Sequence, residues 1–171
     1  MAPPFSRTQD GFEHHLGVNH FGPFLFTALI FNRIVAGGTL YDPARVVAIS
    51  SRGHWRSGIR FGDLDFSDGS KYDRLEGYGQ SKTANILFAN EIARRAAEKT
   101  VPVVAYSVHP GCRYQYQRMT AGKLSLSLFT VIDGTNLGIY LTVEDLAKAG
   151  VMDNNGNWLV PMKSLAQGAA S

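Results

Sequence analysis

Cysteine is nearly absent from the sequence. Cys112 is its single cysteine, so no disulfide can form within the chain, and a reducing compartment such as the cytoplasm fits this composition. The five histidines and this cysteine show neither CxxC nor HExxH spacing, which argues against a metal site. Long apolar runs are missing too, because the longest one, residues 21–31, is too short to span a bilayer. We therefore expect a soluble protein with no membrane span and no bound metal.

The sequence also lacks a strong excess of charge of one sign. Its net charge is +3, and the basic residues are scattered, with Arg94, Arg95 and Lys99 as the densest group. A nucleic-acid-binding surface usually carries clustered Lys and Arg, so we interpret this group as a solvated helix face and expect no nucleic-acid partner. The 171 residues, of which 44% are hydrophobic, are enough for one globular domain.

Apolar periodicity predicts a first helix over residues 10–35, with Thr8 or Asp10 as its N-cap residue. Its section 21–31 is apolar on all sides. Such a section is typical of a helix that is buried on more than one face.

Two short apolar runs without alternation, 45–50 and 101–108, are typical of strands covered on both faces. Between them we predict a long loop over 52–76 and a helix over 77–98, and a further short helix near 143–149. Helices that alternate with strands in this way indicate an α/β fold with parallel strands.

Tyr78 and Lys82 form a Tyr-x-x-x-Lys pair at the start of the long predicted helix, where a spacing of four places both side chains on one face. A free tyrosine has a pKa of about 10, and a nearby ammonium lowers the pKa of a phenol. Tyr78 would then serve as general acid to a carbonyl or general base to an alcohol. The alternative is a chance pair on a solvated helix.

Polar residues follow both predicted strands at their carboxyl ends. Ser50 and Ser51 end the first strand and residues 109–111 (HPG) end the second. Ligands of open α/β sheets bind outside the carboxyl ends of the strands, and a serine hydroxyl there can donate to a developing alkoxide. The alternative for such a serine is a turn or a helix cap.

Asn19 lies within the apolar first helix, where an asparagine is unfavourable unless it has a partner. Pro23, four residues later, has no N–H for the Asn19 carbonyl. Our hypothesis is that this carbonyl holds an ordered water that connects Lys82 to solvent and resupplies the proton. The alternative is a polar side chain satisfied by a neighbouring helix.

Taken together, residues 19–24 (NHFGPF), 46–51 (VVAISS), 78–82 (YGQSK) and 109–111 (HPG) resemble the short-chain dehydrogenase/reductase family. The resemblance is specific to its retinol-dehydrogenase-like members and the related WW-domain-containing oxidoreductase group, and it covers nearly the whole chain except about residues 112–133. It implies hydride transfer between NAD(P) and a small-molecule alcohol or carbonyl, with a lipophilic substrate suggested.

The resemblance also implies the roles of individual residues. Ser51, Tyr78 and Lys82 correspond to the catalytic triad, and Asn19 completes a tetrad. Tyr78 would exchange the proton with the substrate, Lys82 would lower the pKa of the tyrosine, and Ser51 would hold the substrate oxygen.

The cofactor contacts follow from the same resemblance. Tyr78 and Lys82 would bind on the nicotinamide ribose side, Pro110 and Gly111 would line the nicotinamide pocket, and Thr135 would contact the carboxamide. Either NADP or NAD is expected, with NADP favoured by the resemblance.

The sequence departs from the family pattern in three places, one of which is its stop at residues 168–171, where family members are expected to continue. It contains no Thr-Gly-x-x-x-Gly-x-Gly turn, the element that seats the dinucleotide pyrophosphate on a helix N-terminus. We therefore expect one partial domain over 1–171, an incomplete Rossmann-like, doubly wound α/β domain that lacks its N-terminal half. Residues 112–133 form an atypical insertion, interpreted as a splicing artefact or as a surface insertion.

Two functions remain open at this point. The first is an NAD(P)-dependent oxidoreductase, weak or inactive as this chain alone. The second is a truncated, non-catalytic fragment or pseudoenzyme that at most pairs with a full-length relative. Family members commonly dimerise through two long helices, here 10–35 and 77–98, so a homo- or heterodimer is expected to use them.

Overall fold

The structure, a computed structural model, describes residues 2–110 and 143–148 together with positions 153, 155 and 159. These residues belong to two compact units. Residues 5–109 form the unit that contains most of the predicted site. Its centre is a two-stranded parallel sheet with helices packed against it.

The first helix of this unit is continuous along the chain but changes its winding. It begins as α1 (His14–Leu16), passes through a π-helical turn (Gly17–Phe21) and continues as α2 (Gly22–Ala36). Pro23 is the second residue after that turn, and its missing N–H interrupts the regular backbone ladder of an α-helix at this point.

The start of this helix differs from the prediction. Glu13 is the N-cap residue, because its carboxylate accepts from the backbone N–H groups of His15 at 2.9 Å and Leu16 at 2.8 Å. Thr8 instead accepts the Phe12 N–H with its hydroxyl. Gly11 adopts a φ of 86°, a left-handed conformation that turns the chain before a helix can begin. The predicted cap at Thr8 or Asp10 is therefore wrong.

Burial of α2 also differs from the prediction. In the part of the chain that the structure describes, none of its side chains is fully buried, and its first turns expose large apolar residues, namely Phe24, Leu25, Phe26 and Leu29. The last turns pack on the core through Phe31, Ile34 and Val35, and in the first turn the Phe24 ring contacts Phe88 at 5.5 Å between centroids. The described elements cover α2 only in part, so the expectation of burial on more than one face is wrong for these residues.

The sheet consists of β1 (Ala44–Ile49) and β2 (Val103–Val108). The two strands pair in parallel from Ala44 opposite Val103 to Ile49 opposite Val108. Helix α3 (Arg74–Glu98) connects them, so the chain forms a β-α-β unit. The predicted α/β class and the parallel pairing are confirmed.

The core of this unit lies between α3 and one face of the sheet. Ile92, Ala96 and Val103 are buried there. On the opposite face, Val47, Ile49 and Tyr106 are each about half exposed or more. Burial alternates along β1, so among the described residues the predicted cover on both faces is present on one face only.

Helix α3 begins three residues earlier than predicted. The Asp73 carboxylate caps it by accepting the N–H groups of Leu75 at 2.8 Å and Glu76 at 2.9 Å. The predicted loop 52–76 therefore ends at this cap, and it begins with a short 3-10 turn over Arg52–Arg56. The cap matters for function because it sets where the helix that carries the candidate tyrosine starts.

The second unit contains the predicted late helix, α4 (Val143–Lys148), which confirms the expectation near 143–149. An ion pair between Lys148 Nζ and Glu144 Oε1 at 2.8 Å lies on its surface. Farther along, the Asn155 N–H donates to the Asp153 carboxylate in a turn.

Candidate active site

The centre of the candidate site is the Tyr78–Lys82 pair in the first two turns of α3. Tyr78 is almost fully buried, with 9% of its surface exposed. The Lys82 ammonium nitrogen lies 5.4 Å from the centroid of the Tyr78 ring. The structure therefore places both side chains on one helix face, as their spacing predicts.

The sheet fixes the position of Lys82. Its Nζ donates a hydrogen bond to the carbonyl of Ile49, the last residue of β1, at 3.2 Å. Burial lowers the pKa of Lys82 because a charged ammonium is less stable away from water. An ammonium carries three N–H donors, so a lysine held by one carbonyl can still bind the hydroxyls of a ligand.

The two serines after β1 have different surroundings. Ser50 is buried, and its hydroxyl donates to the Lys82 carbonyl at 2.8 Å, which ties the end of the strand to α3. Ser51 caps the following 3-10 turn, where its Oγ accepts the Gly53 N–H at 3.1 Å. A hydroxyl that accepts one hydrogen bond still has its own hydrogen to donate. The cap that we considered as an alternative is thus compatible with a substrate contact.

Gly53 brings Ser51 and Tyr78 together. A Cβ atom at position 53 would lie 2.7 Å from Cε1 of the Tyr78 ring and 3.5 Å from the Ser51 hydroxyl oxygen. Only a residue without a side chain leaves this space open. The sequence analysis did not single out Gly53, since an isolated glycine in a loop carries no such signal.

Asn19, in the π-helical turn of the first helix, contacts the same part of α3. Its side-chain Nδ2 donates to the Ser81 hydroxyl at 2.9 Å, and Ser81 donates in turn to the Tyr78 carbonyl at 2.7 Å. The Asn19 side chain is therefore satisfied by a neighbouring helix, the alternative reading of this residue. The role proposed for the Asn19 main-chain carbonyl stays a prediction.

Asn85 is a further site residue that the sequence analysis missed. Its Nδ2 donates to the Ile49 carbonyl at 2.9 Å, the same oxygen that accepts from Lys82. Its Oδ1 lies 3.3 Å from Nδ1 of His20, and burial lowers the pKa of this histidine. Asn85 follows Lys82 by three positions, so helical spacing was the signal that could have found it.

The remaining predicted cofactor contacts are not placed together with this centre. Gly111, Thr135 and the insertion 112–133 lie outside the described residues. Pro110 belongs to the second unit. His109 directly follows β2, whose last carbonyl, that of Val108, accepts the Ser50 N–H at 2.8 Å. The carboxyl ends of the two strands therefore meet at one edge, as predicted for parallel strands.

The described residues also bear on metal binding and on membrane insertion. Among them, no three or more His, Cys, Asp or Glu side chains are grouped closely enough to hold a metal ion. No helix in this part of the chain has the length and apolar character needed to cross a bilayer.

The β-α-β unit carries Tyr-x-x-x-Lys near the start of its helix and serines after its first strand, and an asparagine reaches it from the adjacent helix. This is the arrangement that the family resemblance predicts. The resemblance of the chain to retinol-dehydrogenase-like members of the short-chain dehydrogenase/reductase family is confirmed. Similarity to named proteins supports this assignment, whereas no protein-family model matches the sequence.

Several retinol dehydrogenases are similar to this chain. Retinol dehydrogenase 12 of Mus musculus is 46% identical over 111 residues, and that of Homo sapiens is 45% identical over 111 residues. Human retinol dehydrogenase 13 is 40% identical over 111 residues. Each alignment covers 65% of this chain and between 31% and 33% of the relative, so the matched part spans about a third of those proteins.

A solved structure agrees with the fold. The crystal structure of an uncharacterised protein from Mycobacterium paratuberculosis superposes with a TM-score of 0.55 and 37% sequence identity. The superposition covers 65% of this chain and 38% of that one. The partial Rossmann-like α/β fold is therefore confirmed.

Proposed function

We propose that this chain carries the catalytic half of an NAD(P)-dependent oxidoreductase that interconverts a lipophilic alcohol and the corresponding carbonyl. The observation that carries the proposal is the buried Tyr78 with the Lys82 ammonium 5.4 Å from its ring centroid. The similarity to proteins named retinol dehydrogenases supports a lipophilic small-molecule substrate.

Tyr78 is the proposed general acid and base. In the reducing direction its phenol gives a proton to the carbonyl oxygen, and in the oxidising direction its phenolate takes the proton of the alcohol. The Lys82 ammonium favours the phenolate because opposite charges attract strongly where water is excluded. The Ser51 hydroxyl donates to the same substrate oxygen and stabilises its developing negative charge.

The described residues fit one part of the cofactor. A half-buried lysine that has spare N–H donors beside the tyrosine suits the ribose hydroxyls on the nicotinamide side. When bound, NADP or NAD supplies the hydride, and we favour NADP. Pro110, Gly111 and Thr135 are proposed to complete the nicotinamide contacts. No Thr-Gly-x-x-x-Gly-x-Gly turn occurs in the 171 residues, so we expect weak binding by this chain alone.

Asn19 is proposed to support proton supply. Its side chain is anchored on α3 through Ser81, and its main-chain carbonyl lies in the π-helical turn before Pro23. That carbonyl would hold a water through which Lys82 exchanges protons with solvent.

We further propose the cytoplasm as the compartment of this protein.

The second candidate function is a non-catalytic fragment that pairs with a full-length relative. It is favoured by the exposed apolar residues in the first turns of α2, which include Leu25, Phe26 and Leu29. Such a patch is typical of an interface. We propose that a homo- or heterodimer would use α2 and α3.

Titration of the chain with NADPH separates the two functions. Saturable enhancement of NADPH fluorescence at millimolar cofactor or below, with oxidation of NADPH on addition of a lipophilic aldehyde, supports the enzyme. Tyr78→Phe should then abolish oxidation and keep cofactor binding. No binding at millimolar NADPH, together with co-elution of the chain with a full-length relative, supports the fragment.

A further inference from the structure

Three polar side chains from two segments of the chain meet in the interior next to Tyr78. Glu13 is 0% exposed and His15 is 3% exposed, and Tyr72 reaches both from the end of the loop before α3. We call Glu13, His15 and Tyr72 the buried triad. Buried groups of this kind are costly to keep unless they are fully hydrogen-bonded, and each of these has partners.

The hydrogen bonds of the buried triad determine which imidazole nitrogen carries the hydrogen. Tyr72 donates its one hydroxyl hydrogen to Oε1 of Glu13 at 3.1 Å. Nδ1 of His15 lies 2.7 Å from the Tyr72 oxygen and 3.0 Å from the same Glu13 oxygen. Both of these oxygens are acceptors toward His15, so Nδ1 must be the protonated nitrogen.

The charges in the triad are consistent with this arrangement. Burial alone would raise the pKa of Glu13, but hydrogen bonds from the His15 side chain and from the His15 and Leu16 backbone outweigh it and lower the pKa. Burial and the Glu13 charge raise the pKa of Tyr72. At neutral pH the triad therefore holds an ionised carboxylate and a neutral phenol.

The imidazole of His15 connects the triad to Tyr78. Its ring packs edge-on against the Tyr78 ring, with 5.9 Å between centroids and an interplanar angle of 69°. The same imidazole stacks on Tyr72 at 6.3 Å. Hydrogen bonds to Glu13 and Tyr72 thus fix the orientation of the His15 ring, and the edge-on contact of this ring limits the movement of the Tyr78 ring.

We propose that His15 is a positioning residue for Tyr78, and that Glu13 and Tyr72 fix the tautomer and orientation with which it does so. This inference rests on the proposed function for the role of Tyr78. A misplacement of a catalytic group by about 1 Å can cost roughly a hundredfold in rate, so confinement of the phenol has a large effect on turnover.

Tyr72→Phe is the decisive variant. It removes one hydroxyl and retains the ring that packs edge-on against Phe5 and Phe66, each at 5.3 Å. Its effect is measured on the 171-residue chain by NMR with ¹³C-labelled tyrosine and ¹⁵N-labelled histidine. Tyr78→Phe and His15→Gln assign the resonances, and His14→Gln, at the neighbouring position on the helix, serves as the control.

In the wild-type chain we expect the ¹⁵N shifts of His15 to show the Nδ1–H tautomer. Tyr72→Phe should shift the Tyr78 ring resonances, although it removes no atom that packs on Tyr78 in the ring contacts described above. In the presence of His15→Gln the same substitution should leave them unchanged, because the coupling runs through the imidazole. His14→Gln should leave them where they are.

An unchanged Tyr78 signal in Tyr72→Phe, or a shift that persists in the His15→Gln background, would overturn the inference. If His15→Gln does not fold, the ring ¹⁵N shifts of His15 in Tyr72→Phe decide instead. They should move because the contact with the Tyr72 hydroxyl is lost, while Glu13 keeps Nδ1 protonated, and unchanged ring shifts overturn the inference. Turnover separates this from the proposed function. If Tyr72→Phe shifts the Tyr78 resonances but the chain has no NADPH-dependent activity, only the proposed function is contradicted. If the chain is active, Tyr72→Phe should lower kcat about tenfold or more with little change in KM.

Discussion

The Lys82 ammonium lies 5.4 Å from the centroid of the Tyr78 ring and donates a hydrogen bond to the Ile49 carbonyl. The end of β1 therefore holds a cation against a phenol on α3. Burial lowers the pKa of Lys82, which means that its charge opposes folding. We attribute the presence of this unfavourable cation beside a buried tyrosine to the chemistry proposed for that tyrosine.

Lys82→Met tests this explanation. We expect proton transfer by Tyr78 to fall by about a hundredfold or more, since general acid–base catalysis contributes roughly 10² to 10⁴. The free energy of unfolding should change by no more than about 1 kcal/mol at neutral pH, because the lost hydrogen bond to Ile49 is offset by removal of a buried charge.

The pH dependence of that stability difference has a defined sign. The folded-state pKa of Lys82 lies below its ordinary value of 10.5, so the charge costs stability at neutral pH and the cost disappears as the pH rises toward 10.5. The free energy of unfolding of Lys82→Met should therefore rise relative to that of the wild type as the pH falls from 10.5 toward neutrality. Urea unfolding at several pH values measures this, with the exposed Lys71→Met as control. A variant that loses several kcal/mol at neutral pH would contradict the prediction.

Gly53→Ala should disturb the site without replacing a proposed catalytic residue. The new Cβ would stand 2.7 Å from Cε1 of Tyr78, a distance at which the ring must move. Overpacking of this kind costs about 1–3 kcal/mol, and a displaced phenol should lower turnover by about a hundredfold. Thermal unfolding and NADPH oxidation measure the two effects.

The matched control is Gly58→Ala, because a Cβ at that position meets nothing within 4 Å. It should change the free energy of unfolding by about 0.5 kcal/mol or less and leave turnover intact. Equal effects of the two substitutions would show that loop flexibility, rather than the space beside Tyr78, is what the glycines provide.

The sequence predicted the centre of the site because that centre is local. Tyr78 and Lys82 lie four residues apart on one helix, and the strand before them is a short run rich in β-branched residues. Buried contacts between distant segments leave no such pattern. Tyr72 and Glu13 are 59 positions apart, and nothing in their spacing indicates that they meet.

The errors in the predicted helix 10–35 have a similar origin. A carboxylate three carbons from the backbone is an unusual cap, yet Glu13 caps α1 because the left-handed Gly11 shifts the start of the helix. Burial of α2 was predicted from composition alone. Composition shows how apolar a surface is, whereas the neighbouring elements decide how much of it is buried. The described residues cover the last turns of α2 and only part of its first turns.

Gln80 is a second residue whose role depends on distant partners. It is 0% exposed, its Oε1 accepts the Arg60 N–H at 2.9 Å, and its Nε2 donates to the Leu64 carbonyl at 3.0 Å. Gln80→Met would leave both backbone groups without this partner, so we expect a loss of about 2–4 kcal/mol in the free energy of unfolding. Asn90→Met, at an exposed position of the same helix, should change it by about 0.5 kcal/mol or less.

Chemical denaturation of both variants measures this difference. Loss of the Gln80 amide should also release the loop that it holds, so proteolysis within residues 58–66 should become faster in Gln80→Met. A stability equal to that of Asn90→Met would show that solvent replaces the two hydrogen bonds without cost.

Glu13 should govern stability in acid. Its pKa is lowered in the folded state from an ordinary value of 4.5, so its contribution to stability is present above that value and is lost as the pH falls through the folded pKa. Glu13→Gln should lower the free energy of unfolding by about 2–4 kcal/mol at pH 7, because the amide presents a donor to groups that need an acceptor. The gap between the two proteins should narrow below pH 4.5 as the wild-type carboxylate takes up a proton.

Urea unfolding of both proteins between pH 7 and pH 3 measures this gap, and Glu98→Gln is the matched control. Glu98 is 60% exposed and pairs with Arg94 on the surface of α3, a kind of ion pair that contributes little to stability. Its substitution should therefore cost less than about 1 kcal/mol at every pH. A gap for Glu13→Gln that stayed constant down to pH 3 would mean that the carboxylate charge is not what the buried triad and the cap of α1 require, and the assignment of an ionised Glu13 would have to be abandoned.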